Sequence, residues 1–137
     1  MATVIEELGQ LLSRAKGIQV TYQAADMLVT MSVGNGRKQT VMVTTQRGHH
    51  GAYSLIRLRS RVSAIAEPKM VRDALRANTG LSLGGLALDT STSPPALDMI
   101  YSIIADNMNI NTFVSALQRV ARRADDLERR LCGTDQF

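Results

Sequence analysis

The hydrophobic residues of this chain recur at helical spacing near both ends of the sequence and at alternating positions between them. Val4, Leu8 and Leu12 are four residues apart, which predicts an amphipathic helix near the start. A longer stretch with the same period runs from Thr112 to Leu131. Between Met27 and Val43, apolar and polar residues alternate, as in half-buried β-strands. The pattern therefore predicts helices on either side of a sheet-forming region.

The first helix carries signals at both of its predicted ends. Thr3 and Glu6 have the spacing of a capping box, in which both side chains satisfy backbone N–H groups of the first turn. Gly17 is well placed to end the helix in the left-handed conformation.

The strand region begins with a hairpin. Gly34-Asn35-Gly36 separates two alternating runs, which is a strong signal for a tight turn. Ile18 to Gln23 is expected to start the first strand or to form a strand before it. After a loop at Arg47–Ala52, a third strand is predicted from Tyr53 to Val62. One of its faces carries Ile56, Leu58, Ser60 and Val62, and the other carries Leu55, Arg57, Arg59 and Arg61.

In the second half of the chain, the spacing of apolar residues again changes from that of a helix to that of strands. Pro68 is a typical first-turn residue, so a short helix is predicted from Pro68 to about Ala77. Two strands are expected near Leu81–Leu88 and Leu97–Ile104, joined by the polar turn Asp89–Pro95. The pair Gly84-Gly85 indicates a bulge or a close backbone approach. The apolar face of the short helix is predicted to consist of Met70, Val71, Ala74 and Leu75.

These elements define an α+β domain that covers residues 1–137. The predicted order is helix, three strands, helix, two strands, helix. Because short polar turns join neighbouring strands, the sheet is expected to be antiparallel, with the helices packed on one face.

The last helix is predicted to face the core. Its large apolar residues occupy a narrow sector, and burying each of them contributes roughly 1.5–3 kcal/mol. Charged pairs at four-residue spacing contribute only about 0.2–0.5 kcal/mol each, so packing decides the orientation of the helix. The predicted pairs are Arg122 with Asp126, Asp125 with Arg129, and Asp126 with Arg130. The apolar sector consists of Phe113, Leu117, Val120, Ala124, Leu127 and Leu131.

The composition supports a packed domain and indicates the cellular compartment in which the protein is expected. Of 137 residues, 45% are hydrophobic, 20% are charged and 4% are aromatic, so an aliphatic core is expected. Cys132 is the single cysteine, which excludes an intrachain disulfide and favours a reducing compartment. No leader pattern and no apolar run of membrane-spanning length is visible, so a bacterial cytoplasmic protein is expected.

The net charge of +4 permits partners that carry negative charge. Arg57, Arg59 and Arg61 form an alternating basic stripe on the third strand, which could hold phosphates, RNA or an acidic peptide. The competing interpretation is a solvent-facing surface that is kept soluble by its charge.

The other candidate groups do not form a recognisable catalytic or metal site. His49 and His50 are adjacent on a glycine-flanked loop with no carboxylate or cysteine nearby in sequence, so a solvated loop is expected rather than a metal site. Asp125 and Glu128 lie among arginines, which keep carboxylates ionised. Cys132 has no nearby histidine to activate it. We therefore predict no catalytic residues, no cofactor and no metal, and the protein is not expected to be an enzyme.

The segment Gly34–Lys38 has a superficial likeness to a phosphate-binding loop. A true loop of that class is followed by a helix and contains Lys-Ser or Lys-Thr. Here an alternating strand pattern follows, so a hairpin turn is favoured.

The element order and the end of the last helix resemble the YbjN-like proteins, which are small bacterial domains with the fold of class I type III secretion chaperones. The similar positions are Ala124-Asp125, Leu127-Glu128, Asp135 and, after the middle helix, Asn78. The chain differs from such chaperones in being basic rather than acidic. The resemblance implies a non-enzymatic binding or adaptor domain that is often dimeric, and it supplies no catalytic residues.

The sequence thus predicts a protein-binding adaptor or chaperone-like domain, which recognises its partner through an exposed sheet edge or an apolar groove. The resemblance also implies a homodimer formed through the middle helix and the later strands. The alternative hypothesis is a nucleic-acid-associated regulator that uses the stripe of Arg57, Arg59 and Arg61.

Overall fold

A computed structural model describes residues 4–24, 26–47, 54–81, 84–105 and 109–132 of the protein. Within these ranges the chain forms an α+β structure with three helices and one six-stranded antiparallel sheet. In chain order the elements are α1 (Val4–Leu12), β1 (Ile18–Gln23), β2 (Asp26–Gly34), β3 (Arg37–Arg47), β4 (Ser54–Ser63), α2 (Pro68–Asn78), β5 (Gly85–Asp89), β6 (Ala96–Ile104) and α3 (Ile110–Cys132).

The strands lie side by side in the order β1-β2-β3-β4-β6-β5. The first four follow the chain, and each pairs with the next. After β4 the chain passes through α2 and forms β5 at the edge, and β6 then inserts between β5 and β4. The sheet therefore has two edge strands, β1 and β5.

Four strands rather than three precede the middle helix, which corrects the predicted order. Ile18–Gln23 is a separate strand that pairs antiparallel with β2, and the closing pair is Gln23 with Asp26. The turn contains no glycine, asparagine or proline, and Ala24 takes the left-handed conformation at φ 55° instead. Because the usual turn residues are absent here, the sequence pattern left open whether Ile18–Gln23 is a separate strand or the start of the first one.

The β2–β3 hairpin confirms the prediction from Gly34-Asn35-Gly36. Gly34 pairs with Arg37, so the turn contains only two residues. Asn35 and Gly36 have φ angles of 50° and 76°, the combination that a type I′ hairpin turn requires. The predicted loop that follows β3, including His49 and His50, lies outside the described residues.

The first helix ends earlier than predicted. It stops at Leu12, and short turns bonded from Ser13 to Gly9 and from Ala15 to Leu12 follow it, each at 2.9 Å. Gly17 does take a positive φ of 83°, but it lies at the entry to β1 rather than at the helix end. Thr3 of the predicted capping box lies outside the described residues.

The hydrophobic core lies between α3 and one face of the sheet. Ile56 and Leu58 of β4 are fully buried in the same cluster as Phe113, Leu117 and Leu127 of α3. The helix contacts β2, β3, β4 and β6, and α1 adds Leu8 and Leu12 to the cluster. The predicted apolar sector of the last helix is thus confirmed as its core-facing side.

The middle helix packs more narrowly than predicted. Ala74 is buried and Met70 is partly buried, but Leu75 is 64% exposed, contrary to its predicted place on the packed face. α2 lies at the end of the sheet, where it contacts only β5 and α3 at length. A helix at that position buries only a narrow face of its side chains, and Leu75 lies outside that face.

The strand predicted near Leu81–Leu88 is observed as β5, and a close backbone approach at Gly84 precedes it; residues 82 and 83 lie outside the described residues. β5 begins at Gly85, and Gly84 itself has a φ of 71°. A Cβ atom at Gly84 would collide with the carbonyl oxygen of Ile100 on the neighbouring strand. The close approach that was predicted from Gly84-Gly85 is confirmed.

Candidate functional site

The three arginines of the predicted basic stripe lie together on the sheet face opposite the core. Ile56, Leu58, Ser60 and Val62 point into the core and are buried, whereas Arg57, Arg59 and Arg61 alternate with them and are partly exposed. The division of β4 into two faces is confirmed. We call the surface that carries these arginines the arginine face.

Two of the three guanidinium groups on the arginine face are paired with one buried carboxylate. Asp98 of β6 is 1% exposed and lies opposite Arg61 in the strand register. Arg61 Nε donates to Asp98 Oδ1 at 2.8 Å, and its Nη2 donates to Asp89 Oδ2 at 2.6 Å. Arg59 Nε lies 3.6 Å from Asp98 Oδ2. Arg61 thus bridges two carboxylates, and Arg59 shares one of them.

This network shifts the ionisation of Arg61 and Asp89 toward their charged forms. The hydrogen bond to Asp98 raises the pKa of Arg61, and the smaller effect of burial opposes it. Hydrogen bonds from the Ser91 hydroxyl and backbone N–H hold the pKa of Asp89 below its ordinary value, and Arg61 adds to this effect. Charges that satisfy one another in this way attract an external anion weakly.

Arg57 differs from its two neighbours on the stripe. No described carboxylate lies within ion-pair distance of Arg57, whereas Arg59 and Arg61 both reach Asp98. Arg57 shares two features with Arg59: the Nε atom of each is buried without a hydrogen-bond acceptor among the described residues, and both line a cavity of about 290 Å³. If the arginine face holds an anion, Arg57 is the residue that can contact it.

The sequence analysis missed Asp98 as the partner of the stripe. Asp98 belongs to β6 and Arg61 to β4, and only the insertion of β6 beside β4 brings them together. One signal was available, because a lone aspartate inside the apolar run Ala96–Ile104 needs a cationic partner when it is buried.

The carboxylates of α3 are structural. Asp125 is buried and accepts from Arg37 Nη2 at 3.1 Å, rather than pairing with Arg129 as predicted. Glu128 is fully buried. The exposed pair of Asp126 with Arg130 is confirmed at 3.2 Å. Asp125 and Glu128, two of the acidic residues on which the family resemblance rests, therefore belong to the interior of this domain, and Asp135 lies outside the described residues.

The outward backbone groups at the two edges of the sheet have different surroundings. At the β5 edge, the side-chain amide of Asn78 imitates a neighbouring strand: Leu86 N donates to Asn78 Oδ1 at 2.7 Å, and Asn78 Nδ2 donates to Leu86 O at 3.2 Å. At the β1 edge, no described strand pairs on the outer side. β1 also carries no charged residue and no proline, the usual protections of an edge strand.

The outward groups of β1 follow from its register. The two-residue turn makes Gln23 and Asp26 a hydrogen-bonded pair, and such pairs alternate along an antiparallel ladder. Thr21 and Gln19 therefore bond inward to β2. The backbone N–H and C=O groups of Ile18, Val20 and Tyr22 consequently point away from the sheet.

Neither a metal site nor a membrane-spanning helix is found in the part of the chain that the structure describes. No three histidine, cysteine or acidic side chains there are grouped closely enough to hold a metal ion. No helix there is long and apolar enough to cross a membrane. His49 and His50 lie outside the described residues, as does the Cys132 side chain.

No family model matches this chain, and no curated protein gives a significant match. The YbjN-like resemblance stays a prediction that rests on the element layout and on the residues of α3.

Proposed function

We propose that this protein is a non-enzymatic adaptor or chaperone-like domain that binds an extended segment of a partner protein along β1. The observation that carries the proposal is the contrast between the two sheet edges. Asn78 occupies the backbone groups of Leu86 at the β5 edge, while the outer side of β1 has no partner strand among the described residues. An unprotected edge of this kind is the template for strand addition.

Strand addition would use three residues of β1. Ile18, Val20 and Tyr22 each offer one donor and one acceptor, and each bond of this kind contributes about 0.5–1.5 kcal/mol net. The side chains of Ile18 and Val20 pack against the core, and Tyr22 is 51% exposed, so an incoming strand would meet an apolar rim on that side. Main-chain pairing supplies affinity, and the rim supplies selectivity.

We further propose the YbjN-like, type III secretion chaperone-like fold in a bacterial cytoplasmic protein, with the three helices on one face of the sheet. The contacts of α1 with β1, β2 and β3 support the helix placement, as do the contacts of both α1 and α2 with α3. The single cysteine supports a reducing compartment.

The test compares two substitutions at one position of β1. Val20→Pro removes an outward N–H group, which a solvent-facing edge tolerates, and Val20→Ala removes the same side chain but keeps that group. Each immobilised variant is exposed to nuclease-treated extract of the source cells, and bound proteins are identified by mass spectrometry. A protein partner is expected on the wild type and on Val20→Ala but not on Val20→Pro.

Hydrogen exchange on the purified complex then locates the contact. The amides of Ile18, Val20 and Tyr22 are expected to gain protection when the partner binds. Retention of every partner by folded Val20→Pro, or protection elsewhere with none on β1, would refute strand addition at this edge.

The homodimer implied by the resemblance is a second part of the proposal. Leu75 of α2 is 64% exposed and Leu88 of β5 is 46% exposed, and these two elements contact each other. Exposed leucines on adjoining elements suit a self-complementary contact. We therefore propose α2 and β5 as the dimer surface.

The nucleic-acid alternative has one observation in its favour, the unmatched charge of Arg57. Nucleic-acid binding through the arginine face would weaken steeply with salt and would fall in Arg57→Glu. The pairing of Arg59 and Arg61 with Asp98 and Asp89 counts against this alternative, because those two charges are already neutralised.

A further inference from the structure

A groove runs along α3 on the side that faces β6. Its larger part has a volume of about 500 Å³ and is bordered by Leu81, Met99, Tyr101 and Arg119, among others. A second part of about 360 Å³ lies beside it along α3 and shares Tyr101 and Arg119 as lining residues. We call this surface the α3–β6 groove.

The floor of the α3–β6 groove is apolar. Met99 is 3% exposed and belongs to the core, and Leu81, Tyr101 and Ile103 pack partly against the same core. The floor is therefore a rigid extension of the hydrophobic interior to the surface, which is the common construction of a binding cleft.

The rim of the groove on α3 is positively charged. Arg119, Arg122 and Arg123 all line the larger part, and all three are exposed. Among the described residues none of them forms an ion pair. Among the described lining residues the one carboxylate is Asp126, which pairs with Arg130 at 3.2 Å. Three arginines thus surround an apolar floor without described partners, although the sequence analysis treated them as solubilising charges.

The length of the groove indicates how long a ligand it can hold. Its lining runs from Asn111 to Asp126 on α3, a stretch of about 22 Å at the helical rise of about 1.5 Å per residue. An extended peptide of about seven residues covers this distance. A single small anion would leave most of the groove empty.

We infer that the α3–β6 groove binds an acidic segment of a partner protein in which carboxylates alternate with large apolar side chains. The apolar residues would rest on Met99 and Tyr101, and the carboxylates would pair with Arg119, Arg122 and Arg123. The site is separate from β1, so the inference goes beyond the proposed strand addition and shares with it only the class of partner.

The probe is a fluorescent peptide of about seven residues in which Glu and Leu alternate, followed by anisotropy. Two further peptides serve as comparisons: one has Ser in place of Leu, and the other has Lys in place of Glu. Binding is expected for the Glu–Leu peptide only, since it alone matches both the rim and the floor.

The protein variants test the location. Arg119→Glu with Arg122→Glu reverses two charges on the rim, and Arg14→Glu with Arg129→Glu makes the same change of net charge at exposed positions outside the groove. The groove variant is expected to lose affinity by at least about tenfold, against about threefold or less for the control variant. Val20→Pro should bind the peptide normally, which separates this site from β1.

Four results would overturn the inference. The first is equal binding by the groove and control variants, and the second is equal binding of the Ser-containing peptide. The third is tighter binding of a single-stranded RNA that the groove variant alone loses, which assigns the site to nucleic acid. The fourth is a concentration-dependent oligomer that the groove variant alone abolishes, which assigns it to a second copy of this chain.

Discussion

At the scale of single residues, Asp98 determines the behaviour of the arginine face. It is nearly completely buried, and it pairs with both Arg59 and Arg61. The sequence predicted the stripe of arginines from simple alternation. It could not predict which of them carries free charge, because that depends on a residue from a strand that follows later in the chain.

Asp98→Asn is expected to lower the free energy of unfolding by about 2 kcal/mol. The substitution leaves two partly buried guanidinium groups with one neutral oxygen between them. Urea denaturation measures the change. Asp126→Asn is the control, since its exposed pair with Arg130 is worth less than about 0.5 kcal/mol. Equal losses in the two variants would contradict a structural role for Asp98.

Asp89 makes the stability of the protein depend on pH. Its folded-state pKa is lowered from the ordinary 3.8 by Ser91 first and by Arg61 second, so the ionised form stabilises the fold. This contribution is complete above the ordinary pKa and is lost as pH falls through the lower folded-state value. Wild type should therefore exceed Asp89→Asn in stability at neutral pH and lose that advantage in acid.

The pH test uses urea midpoints from neutral pH down to about pH 3. Ser91→Ala should reduce the difference between neutral and acidic stability, because it removes the main cause of the shift. Parallel curves for wild type and Asp89→Asn would show that Asp89 makes no such contribution.

At the scale of elements, a comparison of Gly84 with Gly36 distinguishes two costs of adding a Cβ atom: backbone strain and steric collision. Both have positive φ, at 71° and 76°, but only at Gly84 would a Cβ atom meet another backbone, that of Ile100. Gly36→Ala is expected to cost about 1 kcal/mol, the strain of a left-handed residue. Gly84→Ala should cost about 3 kcal/mol, because β5 and β6 must also separate.

Chemical denaturation of both glycine variants checks this difference. Similar costs would mean that β5 adjusts freely. The sequence predicted the close approach at Gly84-Gly85, yet it could not supply the partner, Ile100, which depends on the register of β5 with β6.

The side chain of Asn78 occupies the outward backbone groups of Leu86 at the β5 edge. Asn78→Ala is expected to cost about 1–2 kcal/mol, because two backbone groups of Leu86 lose their partners. It should also speed exchange of the Leu86 amide. Thr79→Ala, at the neighbouring exposed position, should change stability by less than about 0.5 kcal/mol. Unchanged exchange at Leu86 would contradict the proposed protection of this edge.

At the scale of the whole molecule, exposed leucines on α2 and β5 are the proposed dimer contact. Leu75→Lys is expected to convert a dimer into a monomer, because it places a charge in an apolar contact. Leu11→Lys is the matched control, as Leu11 is 45% exposed on α1. Light scattering over a range of concentrations measures the mass. A wild-type protein that stays monomeric throughout would refute the dimer.

The sequence by itself determined the elements that depend on local pattern. The core-facing side of α3, the two faces of β4 and the type I′ turn at Asn35-Gly36 follow from periodicity and turn chemistry, which neighbouring residues alone impose. Whether Ile18–Gln23 starts the first strand or forms a separate one stayed open in the sequence, because its reversal at Ala24 uses no typical turn residue.

Only the tertiary structure decided which surfaces are available for binding. The insertion of β6 beside β4 neutralises Arg59 and Arg61, and β6 gives the arginines of α3 an apolar floor. Both results depend on residues that are distant in sequence and meet only through the order of the strands. The contact of Asn78 with Leu86 at the β5 edge joins consecutive elements, but it too depends on how α2 packs against the sheet. Charge and exposure are properties of that arrangement, so a local pattern cannot assign them.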